Sequence, residues 1–173
     1  MGNRKSTFDD RKWLWLLISP VVLLLDYITK ILAIETLTQP HRSIEVIPEY
    51  FDFSYAENTG MAFGILDSTA YTWKPYVFAV LAIAAVVAIV YYFYKSPSSR
   101  RSPYIALALA AGGILGNLGD RIFRGYVVDF ISWHIRDSFY WPNFNIADSA
   151  ICVGMALLVI DTVRNPDKAV DSR

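Results

Sequence analysis

The sequence has one cysteine, two histidines and few charged residues for its length. A lone thiol, Cys152, closes no intrachain disulfide, and no Cys/His cluster offers zinc ligands. Cys152 lies inside an apolar run and reads as a small buried hydrophobe. Charged residues make up 18% of the 173 positions, against about 25% in an average soluble domain. The formal net charge is zero, so nothing electrostatic points to a nucleic-acid partner. The length suits a single domain over 1–173, with no room for a separate soluble one. With 54% hydrophobic residues and a mean hydropathy of +0.33, the chain is expected to be an integral membrane protein.

Four apolar runs account for most of the length, at about 13–34, 75–94, 103–123 and 146–163. The first follows a basic segment, as a signal peptide does. It exceeds the roughly 7–15 residues of a signal core, and no small-residue cleavage site follows it. It therefore reads as a transmembrane helix, with Pro20 tolerated. The second run is uncharged and ends in Tyr91, Tyr92, Phe93 and Tyr94, an interfacial aromatic belt. In the third, Ala108, Gly112 and Gly116 recur every four residues, a small-residue seam for close helix approach. Gly113, Asn117 and Arg121 form a neighbouring stripe, which lipid cannot satisfy and which should face protein. The fourth run opens at Asn145, a helix cap with Asp148 in the first turn.

The only long polar connection lies between Ile34 and Trp73. Phe51, Phe53 and Tyr55 alternate with Asp52, Ser54 and Ala56, the period of a strand. A small sheet on the membrane surface is expected, and with the four helices it makes a membrane α-helical bundle carrying a little β structure. Sheet and interfacial helix together should fill about 44–68. Asn58-Thr59-Gly60 reads as a turn, opening a short amphipathic piece at 61–67. Lys and Arg gather at the N-terminus, in the 95–101 loop and in the C-terminal tail. By the positive-inside rule these are cytoplasmic, and the sheet and the 124–149 stretch share the opposite, periplasmic face.

That stretch, RGYVVDFISWHIRDSFYWPNFNIADS, carries Asp129 and Asp148 against apolar sequence. Ionisable groups at membrane depth are costly and point to function. His134 and His41 fall in loops without an evident partner, and a serine–histidine triad has thin support. Two converging carboxylates about 3 Å apart could share one proton and activate water, with no cofactor and no metal. Residue types alone do not separate Asp129 and Asp148 from Asp26, Asp120 or Asp137. Asp148 also has an ordinary account as a capping residue. Asp120 can pair with adjacent Arg121. Asp26 and Lys30 stand four apart on one helix face, as a self-neutralising pair or as support for a site. A small transporter or a structural tetraspan are the competing classes, though no inverted repeat favours the former.

The ordered motifs Asp26-Tyr27-Ile28-Thr29-Lys30, Asn58-Thr59-Gly60-Met61-Ala62-Phe63-Gly64, Gly116-Asn117-Leu118-Gly119-Asp120-Arg121, Val127-Val128-Asp129-Phe130 and Phe144-Asn145-Ile146-Ala147-Asp148 give the chain a resemblance to the bacterial lipoprotein signal peptidases (signal peptidase II). The resemblance runs from the first helix to the fourth. It implies an aspartic endopeptidase of the bacterial inner membrane that removes the signal peptide of diacylglyceryl-modified prolipoproteins, cutting before the lipidated cysteine. It implies Asp129 and Asp148 as the catalytic dyad. Asn58, Gly60, Asn117, Arg121, Asn145 and Ala147 match supporting or substrate-contacting positions, and Asp26 with Lys30 a structural polar pair. The implied partners are lipidated precursors, membrane lipids and cyclic peptide inhibitors of the globomycin type, and a monomer is expected.

Overall fold

A computed structural model describes residues 9–38, 43–60, 74–95 and 101–165. A stretch of 3-10 helix over Asp9–Leu17 leads into α1, Ile18–Leu37. Pro20 lies in the first turn of α1, where a missing N–H costs little. Strands β1 (Ser43–Ile47) and β2 (Phe51–Asn58) come next, followed by helices α2 (Lys74–Lys95) and α3 (Ser102–Phe123). Strands β3 (Val127–Ile135) and β4 (Phe139–Tyr140) precede α4 (Ile146–Arg164). Among the described residues, four helical spans are long and apolar enough to cross a membrane: Lys12–Leu37, Tyr76–Tyr94, Ser102–Phe123 and Ile146–Arg164. The first reaches three residues beyond the expected end at 34, and the other three agree closely with the apolar runs. The interfacial piece expected at 61–67 lies outside the described residues, as does His41.

Helix α3 is the centre of the bundle, and the small-residue seam is the reason. A Cβ added at Gly112 would sit 2.7 Å from the Ser19 carbonyl oxygen and 2.8 Å from Val22 Cβ. The Ser19 hydroxyl donates to the Ala108 carbonyl at 2.8 Å. That face is pressed against α1. One residue round, Gly113 lies against the Ala147 carbonyl of α4, and Gly154 of α4 lies against the Ala106 carbonyl. Helix α2 joins the bundle through Ile89 and Phe93, which pack with Tyr104, Ala108 and Ala111. Its other faces expose Val80, Leu81, Ile83, Val87 and Tyr91, a surface suited to lipid.

The four strands form one antiparallel sheet in the order β1-β2-β3-β4. The expected strand at 51–56 is present as β2. Strand β3 was not expected, and it carries Asp129. Its first residues are buried on both faces, which hides the alternation that reveals a half-exposed strand. Opposite β3, β2 is irregular between Phe53 and Ala56, and Ala56 then pairs with Asp129 and Asn58 with Val127. One extra residue in β2 bends the strand there. The other edge of β3 bonds to Phe144: Ile131 N donates to its carbonyl at 2.9 Å, and Phe144 N donates to Ile131 O at 3.1 Å. Asp129 is thereby wedged between β2 and the start of α4. Further out, Trp133, Ile135, Phe139 and Trp141 are about half exposed.

His134 is on β3 rather than in a loop, and it has neighbours. Its ring stacks on Tyr140 with centroids 5.1 Å apart. Nε2 lies 3.3 Å from Asp52 Oδ2, within ion-pair range but not aligned as a hydrogen bond.

Candidate active site

The site begins with the capping of α4. Asn145 has extended backbone geometry, and its side-chain oxygen accepts the Asp148 N–H at 2.9 Å. The Asp148 carboxylate returns the contact, Oδ2 accepting the Asn145 N–H at 3.3 Å. This reciprocal box satisfies helix N–H groups that otherwise lack partners. It leaves the Asn145 amide NH2 free to reach elsewhere. That group donates to Asp129 Oδ1 at 2.7 Å, and also lies 3.2 Å from Val128 O and 3.2 Å from Asn117 Oδ1.

Asn145 therefore grips both carboxylates. The other oxygen of each is held by a further asparagine: Asn58 Nδ2 donates to Asp129 Oδ2 at 2.9 Å, and Asn117 Nδ2 to Asp148 Oδ1 at 2.7 Å. Asparagine N–H groups thus reach both oxygens of each carboxylate. Asp129 is 2% exposed, whereas Asp148 is only partly buried. The Asp129 carboxyl is pushed up to about 7, first by burial and then by the neighbouring charge of Asp148. Hydrogen bonds from Asn58 and Asn145, and the field of Lys30, pull the other way. A group with that value exchanges a proton near neutrality, as acid–base catalysis needs.

The motif residues converge. Asn58 closes β2 and its Oδ1 accepts the Gly60 N–H at 3.0 Å, so it is both a turn residue and a partner of Asp129. Arg121 donates to the Gly60 carbonyl at 3.1 Å and to the Asn117 carbonyl at 3.2 Å, and lies 5.0 Å above the Phe78 ring. Ala147 contributes its N–H, donated to Asp26 Oδ1 at 2.9 Å, and its methyl is fully buried.

Asp26 and Lys30 pair at 2.7 Å, but they do not neutralise one another in isolation. Both are 1% exposed, and Lys30 also lies 2.9 Å from Asp120 and 3.0 Å from Asn117 Oδ1. Asp120 does not pair with adjacent Arg121. It pairs with Lys30 and Arg124, and its Oδ2 accepts the Val128 N–H at 3.1 Å. The reason is helical geometry: neighbours in sequence point apart, whereas Asp120 and Arg124 share a face. That spacing was the available signal for the role of Asp120. Among the described residues no group of three or more His, Cys, Asp or Glu side chains is arranged to hold a metal ion.

Among the described residues, four membrane-length helices and a buried cluster of aspartates and asparagines define a multi-pass membrane protein with a polar site inside it. The model of the signal peptidase (SPase) II family matches residues 18–164. The lipoprotein signal peptidase of Photorhabdus laumondii is 40% identical over 166 residues, 96% of each chain. That of Teredinibacter turnerae is 43% identical over 151 residues, 86% of each chain. A bacterial membrane enzyme solved by the in meso method at 2.3 Å superposes with a TM-score of 0.78 at 34% identity, covering 90% of each chain. A second, at 1.9 Å, gives 0.75 at 32% identity, covering 88% of this chain and 94% of the other. The chain belongs to the signal peptidase II family, whose members are membrane proteases of lipoprotein processing.

Proposed function

We propose that this protein is an aspartic endopeptidase that removes the signal peptide from diacylglyceryl-modified prolipoproteins, cutting before the lipidated cysteine, with Asp129 and Asp148 as the catalytic dyad. The observation that carries this reading is the double grip of Asn145, whose side chain holds Asp129 and whose backbone N–H holds Asp148. Two carboxylates fixed on one residue can share a single proton. Asp129, the more deeply buried, holds that proton and polarises the scissile carbonyl. Asp148 accepts a proton from water, whose oxygen attacks the carbonyl carbon. The C–N bond then breaks, and the dyad delivers a proton to the departing nitrogen. No covalent intermediate or cofactor is required.

A substrate that is half lipid and half peptide needs both phases. The exposed apolar faces of α2 and α4 suit lipid, and Asp148 is open enough to meet water. The half-exposed Trp133, Phe139, Tyr140 and Trp141 suit a sheet lying at the headgroup level. In this reading the protein is a monomer of the bacterial inner membrane with both termini cytoplasmic and the dyad near the periplasmic face. Cyclic peptides of the globomycin type would block the same site.

The test is cleavage of a diacylglyceryl-modified precursor by purified protein. Asp129→Asn and Asp148→Asn should each lower turnover by about a thousandfold or more while the variant remains inserted and folded. Substantial turnover in either variant would defeat the dyad. Turnover by the wild type on unmodified precursor at the same rate would defeat the substrate assignment.

A further inference from the structure

Lys30 is linked to Asp148 through the Asn117 amide. An ammonium group has three N–H donors and no acceptor. Here the three go to Asp26 Oδ2 at 2.7 Å, Asp120 Oδ2 at 2.9 Å and Asn117 Oδ1 at 3.0 Å. The third contact has a directional consequence. The Asn117 amide has one acceptor end and one donor end, and only its oxygen can face Lys30. The Asn145 NH2 points at that same oxygen from 3.2 Å. Turning the amide over would set an NH2 against an ammonium and a second NH2. Its donor end is thus forced toward Asp148 Oδ1, where it stands at 2.7 Å.

We propose that Lys30 is a positioning residue, which locks the Asn117 amide in one orientation so that Asp148 is held by an N–H and aimed at the attacking water. The proposal rests on the dyad reading. It differs from a purely structural ion pair, because the part of its effect that reaches Asp148 passes through one amide and should vanish when that amide is absent, whereas its field on Asp129 acts with or without Asn117.

A double-mutant cycle tests it. Replacing Lys30 alone would strand Asp26, whose cationic partner it is, while Asp120 would keep Arg124. The first variant is therefore Asp26→Asn with Lys30→Met, which leaves the acceptor for the Ala147 N–H in place. The second is Asn117→Ala, and the third combines all these changes. Full-length purified proteins are assayed on a diacylglyceryl-modified precursor, separating kcat from KM, with thermal unfolding in detergent measured alongside.

The first variant should lose about thirtyfold to a hundredfold in kcat, the size of effect that misplacing a reacting group produces. Its KM should stay within about threefold of wild type, since substrate binding is untouched. The combined variant should be no slower than Asn117→Ala alone. Losses that multiply, or a folded first variant with kcat within about threefold of wild type, would overturn the proposal. Should the first variant not fold, Asn117→Asp decides. It keeps a partner for Lys30 but sets an acceptor against Asp148, and wild-type kcat in that variant would overturn the proposal equally. Failure of the dyad itself looks different, as retained turnover in Asp129→Asn or Asp148→Asn.

Discussion

Asp26 and Asp120 are held by cations, whereas Asp129 and Asp148 are held by asparagines. The first pair surrounds Lys30, with Arg124 added on Asp120. The second takes its hydrogen bonds from Asn58, Asn117 and Asn145. Under the proposed mechanism the difference separates scaffold from chemistry. A carboxylate against a fixed cation has a partner of opposite charge in its buried site, which suits it to holding helices together. A carboxylate held by amide N–H groups is oriented by hydrogen bonds and not by an ion pair, and the Asp129 carboxyl, at about 7, can exchange a proton near neutrality. Asn117 bridges the two sets, its oxygen toward Lys30 and its NH2 toward Asp148.

The sharpest way to break this comparison is to treat one acid from each set alike. Asp129→Asn should abolish cleavage and leave thermal unfolding within a few degrees of wild type. Asp120→Ala should do the reverse in kind. It removes one partner of a buried ion pair and strands the Val128 N–H, at a cost of about 3–5 kcal/mol. That loss is read as a lowered unfolding midpoint in detergent, with residual activity in whatever remains folded. Equal stability losses in the two variants would erase the distinction.

A smaller effect probes how closely α3 must approach its neighbours. An added methyl at Gly116 would stand 2.6 Å from Asp26 Oδ2 and 3.4 Å from Ala147 Cβ. Gly116→Ala should therefore cost about 1–3 kcal/mol. Gly119→Ala, whose methyl meets nothing within 4 Å, should leave the unfolding midpoint unchanged or slightly raised, since alanine favours helix. A destabilised Gly119→Ala would mean that the α3 seam is wider than the packing indicates.

The smallest effect is in pH. The Asp129 carboxyl, at about 7, is protonated below that value and ionised above it. As keeper of the shared proton it requires the acid form, so kcat should fall as pH rises through about 7. The Asn58 hydrogen bond favours the ionised form. Asn58→Ala should therefore move this limb of the profile to higher pH, raising the ratio of activity at pH 8 to that at pH 7. A shift to lower pH would mean that Asp129 works as the base.

Much of the scaffold could be read from residue types. Long apolar runs revealed the helices, and four-residue spacing revealed the seam around Gly112 and Gly116. Asn145 was legible as a cap because capping chemistry is local. What escaped detection depended on contacts between distant segments. Strand β3 shows no alternation where both of its faces are covered. Lys30 could be paired with Asp26 by spacing, but its contacts with Asn117 and Asp120 cross from α1 to α3. Residue types also gave no sign that Asn145 would bond to both carboxylates. The choice of Asp129 and Asp148 among the aspartates came from the resemblance of ordered motifs, since no property of an isolated aspartate distinguishes them.

Asn145 belongs at once to the first turn of α4 and to the clamp on both acids. Helix ends come apart at lower free-energy cost than helix middles. Loosening of that one turn would let go of Asp129 and Asp148 together while the membrane spans stay intact. On a temperature ramp, inactivation should then precede melting, and the interval between them would measure how firmly the turn is closed.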